Sequence, residues 1–376
     1  MIIAITYPFL QEYWWAIVSL LGAILVFLMF VQGGQSLLYT VGKTEMQRTM
    51  IVNTLGRKWE FTFTTLVTFG GAFFASFPLF YATSFGGAYW VWILILLSFI
   101  LQAVSYEFRS KPANFLGAKT FEVFLIINGL MGTILIGTAV GTFFNGAQFS
   151  LNDYNQVTWQ NSFRGLEAVL NLHNVVLGLT VFFLSRVLAL QYFNSSIDDE
   201  DIAKVTKKQL WINAFPFLVF FLTFVIVLLF KKGFAYDPET LVVSFEKYKY
   251  LHNLLQMPIV LILFLVGVVL VLFGIFNDLF KKPGKGIWFS GIGTVLTVFA
   301  LFLIAGYNNT CYYPSAFDLQ SSLNIRNSSS SEFTLNAMSV VSLLVPFVVA
   351  YIWYAWRAIN NKKIDKAEME TESHKY

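Results

Sequence analysis

Long apolar segments, separated by short polar connections, dominate the hydrophobic pattern of this chain. The segments lie at approximately 13–31, 62–81, 88–106, 121–143, 168–190, 211–230, 258–276, 287–307 and 338–359. Each is close to the length of about 20 residues that an α-helix needs to cross a bilayer core. The pattern therefore predicts an all-α polytopic membrane protein with about nine transmembrane helices in one bundle. We expect a single integral membrane domain over 1–359 and a charged, disordered tail over 360–376.

Composition agrees with this class and excludes several others. The chain is 57% hydrophobic and only 12% charged, with a mean hydropathy of +0.65, whereas soluble domains carry about 25% charged residues. The single cysteine, Cys311, excludes an intrachain disulfide. Three histidines, His173, His252 and His374, leave little for metal or haem ligation. No basic run interleaved with aromatic residues is present, so we expect no nucleic-acid partner.

The distribution of basic residues predicts the orientation. Most of the 25 lysines and arginines fall in alternate connections and in the C-terminal tail. Because basic residues concentrate on the cytoplasmic side, we expect the N-terminus outside and the C-terminus in the cytoplasm. The connection around 231–249 is a basic exception on the outer side.

One carboxylate stands where the second helix enters the hydrocarbon. Glu60 follows Arg57 and Lys58 and precedes about twenty uncharged residues. A carboxylate at membrane depth costs about 2.5–3.5 kcal/mol on insertion scales, so it is rarely kept without a use. Two interpretations stay open: a proton-handling carboxylate, or half of an interfacial ion pair with Arg57 or Lys58.

Other polar residues gather towards the same ends of the first four helices. Candidates for a proton pathway, beside Glu60, are Gln32, Gln35 and Glu107. Gln102 and Glu122 lie nearby in the predicted helices. Ordinary interfacial polarity is the alternative explanation for each of them.

The chain lacks sequence signatures of independent chemistry. It has no P-loop, no HExxH motif and no histidine pair four residues apart that could hold a haem or a metal ion. We therefore predict no catalytic residue and no metal site in this chain alone.

Three short stretches carry a family resemblance. The chain resembles subunit II of the cytochrome bd quinol oxidases over about 13–359, nearly its whole length. The matching stretches are Lys58-Trp59-Glu60 with GGAFFASFP at 70–78, YEFRSK at 106–111, and Tyr313-Pro314-Ser315 with Leu323-Asn324-Ile325 and SEFTLNA at 331–337. Together these stretches are specific, although any one alone would not be.

The resemblance implies a haem-free subunit of a two-subunit enzyme in the bacterial inner membrane. In that family subunit I carries haems b558, b595 and d and the quinol site, and the complex oxidises ubiquinol or menaquinol and reduces oxygen to water. Subunit II is needed for assembly, and the chemical protons come from the cytoplasm. The resemblance implies as partners subunit I, quinol and membrane lipid, and it leaves open a small accessory subunit.

The resemblance also suggests roles for two residues. Glu60 matches a family aspartate that lies on a proposed proton route. Some members bind a quinone in subunit II, and Trp59 is the candidate residue for contacting one here.

The chain departs from the family pattern at several of these positions. Where many members have Asp-Gly-x-Asp, this chain has Gln32-Gly33-Gly34-Gln35, and glutamine cannot ionise. Lys58 replaces the family histidine, and Gln102 stands where some members have arginine. Gln32 and Gln35 therefore supply no ionisable group to a proton route. The alternative function is a polytopic secondary transporter or a membrane scaffold, although we find none of the internal repeats that transporters often show.

Overall fold

The structure is a computed structural model that describes residues 6–281, 283–360, 362–366 and 369. Over these residues the chain is almost entirely helical, with two short β-hairpins. The helices are α1 (Tyr7–Leu28), α2 (Phe30–Ser36), α3 (Leu38–Val41), α4 (Glu45–Gly56), α5 (Trp59–Ser76), α6 (Pro78–Tyr81), α7 (Tyr89–Phe108), α8 (Ala118–Asn145), α9 (Leu172–Ser196), α10 (Glu200–Phe230), α11 (Lys249–Gln256), α12 (Pro258–Phe280), α13 (Gly286–Gly306), α14 (Ile325–Ser328), α15 (Glu332–Ser342) and α16 (Val345–Ile359). The strands are β1 (Phe149–Leu151), β2 (Val157–Trp159), β3 (Lys232–Tyr236) and β4 (Val243–Lys247).

Eight helical spans of the described residues are long and apolar enough to cross a membrane. They are Tyr7–Ser36, Tyr89–Phe108, Ala118–Asn145, Leu172–Ser196, Glu200–Phe230, Pro258–Phe280, Gly286–Gly306 and Glu332–Ile359. This confirms the prediction of an all-α polytopic membrane protein. Two of the predicted segments are built from helix pairs, since α1 continues into α2 and α15 continues into α16.

The remaining predicted segment, 62–81, corresponds to α5, which is less apolar than the eight spans. It has 18 residues and includes Glu60 and several threonines. It ends at Phe77, whose φ of −134° and ψ of 66° are not helical, because the residue before a proline avoids the helical region. The chain then continues through α6 and one π-helical turn, Ala82–Gly86. With α5 counted, the described residues hold nine membrane-length segments, close to the predicted number.

Small residues let the long helices approach closely. A Cβ atom added to Gly137 of α8 would lie 2.7 Å from the Cα atom of Gly178 in α9. One added to Gly141 would lie 2.6 Å from Oδ1 of Asn174. The small-xxx-small pattern of α8 therefore packs against α9, as such patterns do in membrane helices.

The two ends of the bundle differ in their covering. The antiparallel hairpins β1–β2 and β3–β4 lie at one end, which we call the hairpin end. The C-terminal residues 362–366 lie at the other, which we call the tail end. Aromatic side chains fill the interior near the hairpin end, where the rings of Trp15 and Tyr312 have centroids 4.4 Å apart.

Part of the tail is docked, so the expectation of disorder is wrong for the described residues of 360–376. The backbone N–H of Ile364 donates to Ser196, and that of Asp198 donates to Ile364, both at 2.9 Å. Lys366 forms an ion pair of 3.0 Å with Asp199, the N-cap residue of α10. The Ile364 side chain is only 2% exposed. Ile364, the equally buried Met369 and a few backbone hydrogen bonds thus hold the tail against the bundle at the α9–α10 turn.

Candidate functional site: two polar clusters at the tail end

Two neighbouring helices bring three glutamines together. Gln32 and Gln35 lie about one turn apart on α2, and both donate a side-chain N–H to Oε1 of Gln102 in α7, at 2.6 and 2.7 Å. Gln35 also donates to the hydroxyl of Tyr106 at 3.1 Å. All four side chains are at most 1% exposed. We call these four residues the glutamine cluster.

The glutamine cluster keeps spare hydrogen-bonding capacity. Oε1 of Gln32, Oε1 of Gln35 and Nε2 of Gln102 are buried and have no partner among the described residues. Buried polar atoms in proteins nearly always find a partner, and ordered water supplies it where protein does not. The cluster therefore offers two acceptors and one donor to bound water, although none of its amides can carry charge.

The polar face of α7 continues deeper into the bundle. Ser98 lies one turn from Gln102, and its hydroxyl accepts a hydrogen bond of 3.1 Å from Nδ2 of Asn128 in α8. Oδ1 of Asn128 is a further buried acceptor without a partner in the described part of the chain. The unsatisfied polar atoms thus extend beyond the glutamines along one side of α7.

Trp59 belongs to the edge of this cluster. Its ring stacks on Tyr106, with centroids 5.8 Å apart and an interplanar angle of 15°. Its indole N–H is buried and lacks an acceptor among the described residues. The structure therefore brings Trp59, Gln32, Gln35 and Gln102 to one place.

Glu60 faces a different direction. Its side chain is exposed and lines a groove of about 590 Å³ between α5 and α16, together with Thr64, Ile352 and Ile359. One helical position separates it from Trp59, so the two side chains leave α5 about 100° apart. Within this chain the glutamine cluster and Glu60 therefore face different directions from the start of α5.

Lys58 does not form the expected ion pair with Glu60. Its side chain is fully buried, and its Nζ has no hydrogen-bond partner in the described structure. Nζ instead lies 4.3 Å from the ring centroid of Trp356 in α16, in a cation–π contact. Lys58 therefore joins the start of α5 to the end of the last helix.

Glu107 lies on the surface. It pairs with Lys111 one turn later at 3.1 Å, and the two side chains are 62% and 50% exposed. Such a pair contributes little to stability. The structure does not bring Glu107 to the glutamine cluster.

A second, charged cluster surrounds Glu122 of α8. Oε1 of Glu122 accepts hydrogen bonds from Arg109 at 2.7 and 3.2 Å, and Oε2 accepts one from the Tyr39 hydroxyl at 2.6 Å. Arg48 of α4 approaches the same carboxylate to 3.4 Å. We call these four residues the Glu122 cluster. It joins α3, α4, α7 and α8 at the tail end.

Sequence reasoning noted Glu122 as polar but did not select it, and it did not identify its partners. Arg48 and Arg109 read as ordinary basic residues of tail-end connections, and their sequence separations from Glu122 follow no helical spacing. A carboxylate inside an apolar segment was the one available signal, and it was present at Glu122 as well as at Glu60.

The side chains that commonly bind metal ions are dispersed over the described residues. No group of three or more His, Cys, Asp or Glu side chains that could hold a metal ion occurs among them. Both ring nitrogens of His173 make hydrogen bonds, to Oδ1 of Asn145 and to the carbonyl of Phe224. His252 lies 2.7 Å from Glu246, and His374 lies outside the described residues. His173 thus has both ring nitrogens engaged within the chain.

Comparisons with known proteins address the whole chain. The family model described as "Cytochrome bd terminal oxidase subunit II" matches residues 10–359. "Probable cytochrome oxidase subunit 2" of Haemophilus influenzae is 28% identical over 364 residues, which are 94% of each chain. "Cytochrome bd-I ubiquinol oxidase subunit 2" of Escherichia coli K12 is 26% identical, over 98% of this chain and 99% of its own. "Cytochrome bd ubiquinol oxidase subunit 2" of Bacillus subtilis is 26% identical over 83% and 85%.

A solved structure has a similar fold. A chain in "The structure of bd oxidase from Geobacillus thermodenitrificans" matches with a TM-score of 0.59, over 93% of this chain and 98% of its own, at 11% identity. The sequence relatives named above include subunits of ubiquinol oxidases, which are oxidoreductases, and these matches do not support the alternative of a transporter or a scaffold. Since the family model spans nearly the whole helical bundle, this multi-pass membrane protein belongs to the cytochrome bd terminal oxidase subunit II family.

Proposed function

We propose that this chain is the haem-free subunit II of a quinol:oxygen oxidoreductase in the bacterial cytoplasmic membrane. It pairs with a haem-bearing subunit I and is needed for the assembly of that subunit. The observation that carries the proposal is the family match over 10–359. The hydrogen bonds of His173, which leave neither ring nitrogen for a haem iron, agree with it.

We propose that the partner subunit packs, in part, against the exposed side of the last helix, α16. Only 12% of the apolar stretch in Glu332–Ile359 is buried within this chain, and α16 shares the Glu60 groove with α5. A partner helix in this groove would shield the Glu60 carboxylate from lipid. Shielding by protein is the usual setting of a carboxylate at membrane depth.

The tail end faces the cytoplasm, because most basic residues lie in its connections and in the tail. Protons for oxygen reduction therefore enter at this end. Glu60 is the ionisable group of the proposed route, and it passes protons across the groove to the partner. The glutamine cluster, which faces a different direction from Glu60, holds water by hydrogen bonding without carrying charge itself.

Trp59 remains the candidate for a quinone contact. Its buried indole N–H has no acceptor among the described residues, and a quinone carbonyl oxygen is an acceptor of the required kind. The opposite interpretation is that Trp59 only packs against Tyr106, with its N–H hydrogen-bonded to water.

Purification of the tagged full-length chain from its native membranes tests the proposal. We expect a second large membrane protein to co-purify, with an optical spectrum of b- and d-type haem, and quinol-dependent oxygen consumption. We expect no Soret band from the chain expressed without its partner. A chain that purifies without any haemoprotein, or that alone carries stoichiometric haem, would contradict the proposal.

Orientation is tested separately by reporter fusions. The proposal places Tyr376 in the cytoplasm and the connection near Lys247 outside. A cytoplasmic signal from both fusions would contradict the assigned orientation and would change the number of membrane crossings.

A further inference from the structure

The hairpin end contains a cavity that the oxidase function does not use. Its volume is about 670 Å³, and it lies beneath the β1–β2 hairpin, between the ends of α7, α8 and α9. The floor is formed by buried residues, among them Tyr313 and Asn174, and the mouth by exposed ones, among them Ser162 and Leu170. The cavity therefore opens towards the surface of this end of the bundle.

Glu167 is the one charged side chain among the residues that line this cavity. Its Oε2 accepts a hydrogen bond of 2.7 Å from the backbone N–H of Gly165. Gly165 has a φ of +97°, and a Cβ atom there would lie 2.6 Å from that of Ala88, so the turn requires glycine. The turn fixes the carboxylate in position at the cavity wall.

The second oxygen of Glu167 is unsatisfied. Oε1 is buried and has no hydrogen-bond partner in the described part of the chain, and no ion pair of Glu167 occurs there. The basic groups nearby are engaged elsewhere. Lys231 donates to the carbonyl of Phe144 at 2.6 Å and to Oδ1 of Asn145, and Arg164 lies 5.2 Å from the ring centroid of Tyr89. Glu167 thus brings an uncompensated negative charge to the cavity.

The charge of Glu167 reaches the cavity floor. Burial raises the pKa of the Tyr313 phenol, hydrogen bonds with Ser84 and Thr142 lower it by less, and the negative charge of Glu167 raises it. The carboxylate of Glu167 and the phenol of Tyr313 therefore line the same cavity. Trp92 and Trp159 add two more aromatic side chains to the walls, and the rest of the polar lining consists largely of neutral amides.

We propose that this cavity binds an organic ammonium group, with Glu167 as its counter-ion. An ammonium group donates to the free carboxylate oxygen and to amide oxygens, and it interacts favourably with aromatic rings. A calcium ion would need six to eight oxygen ligands, with more than one carboxylate in most sites. One carboxylate among amides and aromatic rings therefore fits an ammonium group better than a metal ion.

The ammonium group has two possible sources, a free small amine or the headgroup of an aminophospholipid. Apolar side chains beside the mouth favour the lipid: Val169, Leu170 and Leu172 are 43%, 80% and 77% exposed. Exposed apolar residues at this level would contact acyl chains while the headgroup enters the cavity.

Calorimetric titration of the purified oxidase complex with ethanolamine hydrochloride tests the site. We expect saturable binding that is at least ten-fold weaker in Glu167→Gln. That substitution keeps an oxygen to accept the Gly165 hydrogen bond and removes the charge. Glu239→Gln, at an exposed position in the loop between β3 and β4, is the matched control and should bind like the parent. Uncharged ethylene glycol should not bind.

Several results would overturn the proposal. They are equal binding of ethylene glycol, unchanged affinity in Glu167→Gln, and a requirement for calcium in place of the amine. If Glu167→Gln fails to yield folded complex, competition between ethanolamine and potassium in the parent decides, since the proposal predicts preference for the amine.

Native mass spectrometry of the complex from bilayer nanodiscs distinguishes the sources. Retention of phosphatidylethanolamine over phosphatidylglycerol, lost in Glu167→Gln, assigns the site to a lipid headgroup. Saturable ethanolamine binding without lipid retention assigns it to a free amine. Absence of both contradicts the proposal.

Discussion

The glutamine cluster and the Glu122 cluster lie at the same end of the bundle, and Gln102 and Glu122 at their centres are both buried, yet their hydrogen bonding differs. Both oxygens of Glu122 are engaged, by Arg109 and by Tyr39, and Arg48 adds a second positive charge. The glutamine cluster is uncharged, and two acceptors and one donor remain unused. The charged cluster links its helices through ion pairs, whereas the neutral cluster keeps buried amide atoms that can bind ordered water.

This difference suggests different roles for the two clusters. A carboxylate held by two guanidinium groups and a hydroxyl is fixed in position, so it stabilises the contact between the helices that carry these groups. Neutral amides that bind water can order a hydrogen-bonded chain without trapping a proton. We therefore assign structural stabilisation to the Glu122 cluster and hydration to the glutamine cluster.

The largest effect is expected from removing the carboxylate of the Glu122 cluster. Glu122→Ala removes the carboxylate that pairs with the buried Arg109 and the half-buried Arg48, and breaking a buried ion pair costs about 3–5 kcal/mol. We expect a strong loss of assembled complex and a lower unfolding temperature, measured by thermal denaturation in detergent. Glu107→Ala removes an exposed carboxylate at the same end and should change stability by less than about 0.5 kcal/mol. Equal stability of the two variants would contradict the assignment.

A smaller effect, on the oxygen-consumption rate, is expected from removing polar atoms of the glutamine cluster that can bind water. Gln102→Leu removes the acceptor shared by Gln32 and Gln35, and we expect normal haem content with an oxygen-consumption rate about three- to ten-fold lower, up to ~1.4 kcal/mol on the barrier. The control is Gln191→Leu. Gln191 is also fully buried with both amide atoms unpartnered among the described residues, but it lies on α9 outside the cluster. If both variants lower the oxygen-consumption rate equally, the loss reflects disturbed helix packing and contradicts the hydration role of the glutamine cluster.

The smallest effect concerns the docked tail and acid pH. Burial raises the pKa of Asp199, but hydrogen bonds from Ile202 and Lys366 and the charge of Lys366 lower it more, so the net shift is downward. The ionised form therefore stabilises the docked state at neutral pH. That contribution is lost as the pH falls below about 4, through the lowered pKa of the folded state.

Hydrogen exchange of the Ile364 amide measures this docking. We expect Lys366→Ala to exchange about two- to five-fold faster than the parent at neutral pH and to lose this difference in acid. Lys362→Ala is the control, because Lys362 pairs with Asp365 inside the tail, at 3.3 Å. Parent-like exchange in Lys366→Ala would show that the backbone hydrogen bonds suffice.

The apolar pattern predicted most of the fold, and the reason is physical. In a bilayer the backbone N–H and C=O groups must hydrogen-bond within the protein, which leaves helices and closed barrels as the possible spanning structures. Segment length and hydrophobicity therefore largely determine where the helices lie. The break of α5 before Pro78 was not predicted, although proline itself is its signal.

The candidate site was predicted less well, because it depends on which helix faces meet. The sequence placed Gln32, Gln35 and Glu60 at one end, but only packing separates the buried glutamines from the groove of Glu60. Ile364 is one apolar residue among charges, and its docking depends on unpaired backbone groups at the α9–α10 turn. These contacts join residues distant in sequence, and no local pattern encodes them.

Proton delivery through this subunit is tested most directly by the oxygen-consumption rate of a Glu60→Gln complex between about pH 6 and pH 8. Glutamine keeps the shape of the side chain and removes its ionisation. We predict assembled complex with normal haem content and a clearly reduced rate, while Glu60→Asp retains much of the activity and Glu107→Gln matches the parent. A Glu60→Gln complex that assembles and turns over like the parent across this range would contradict the proposed route.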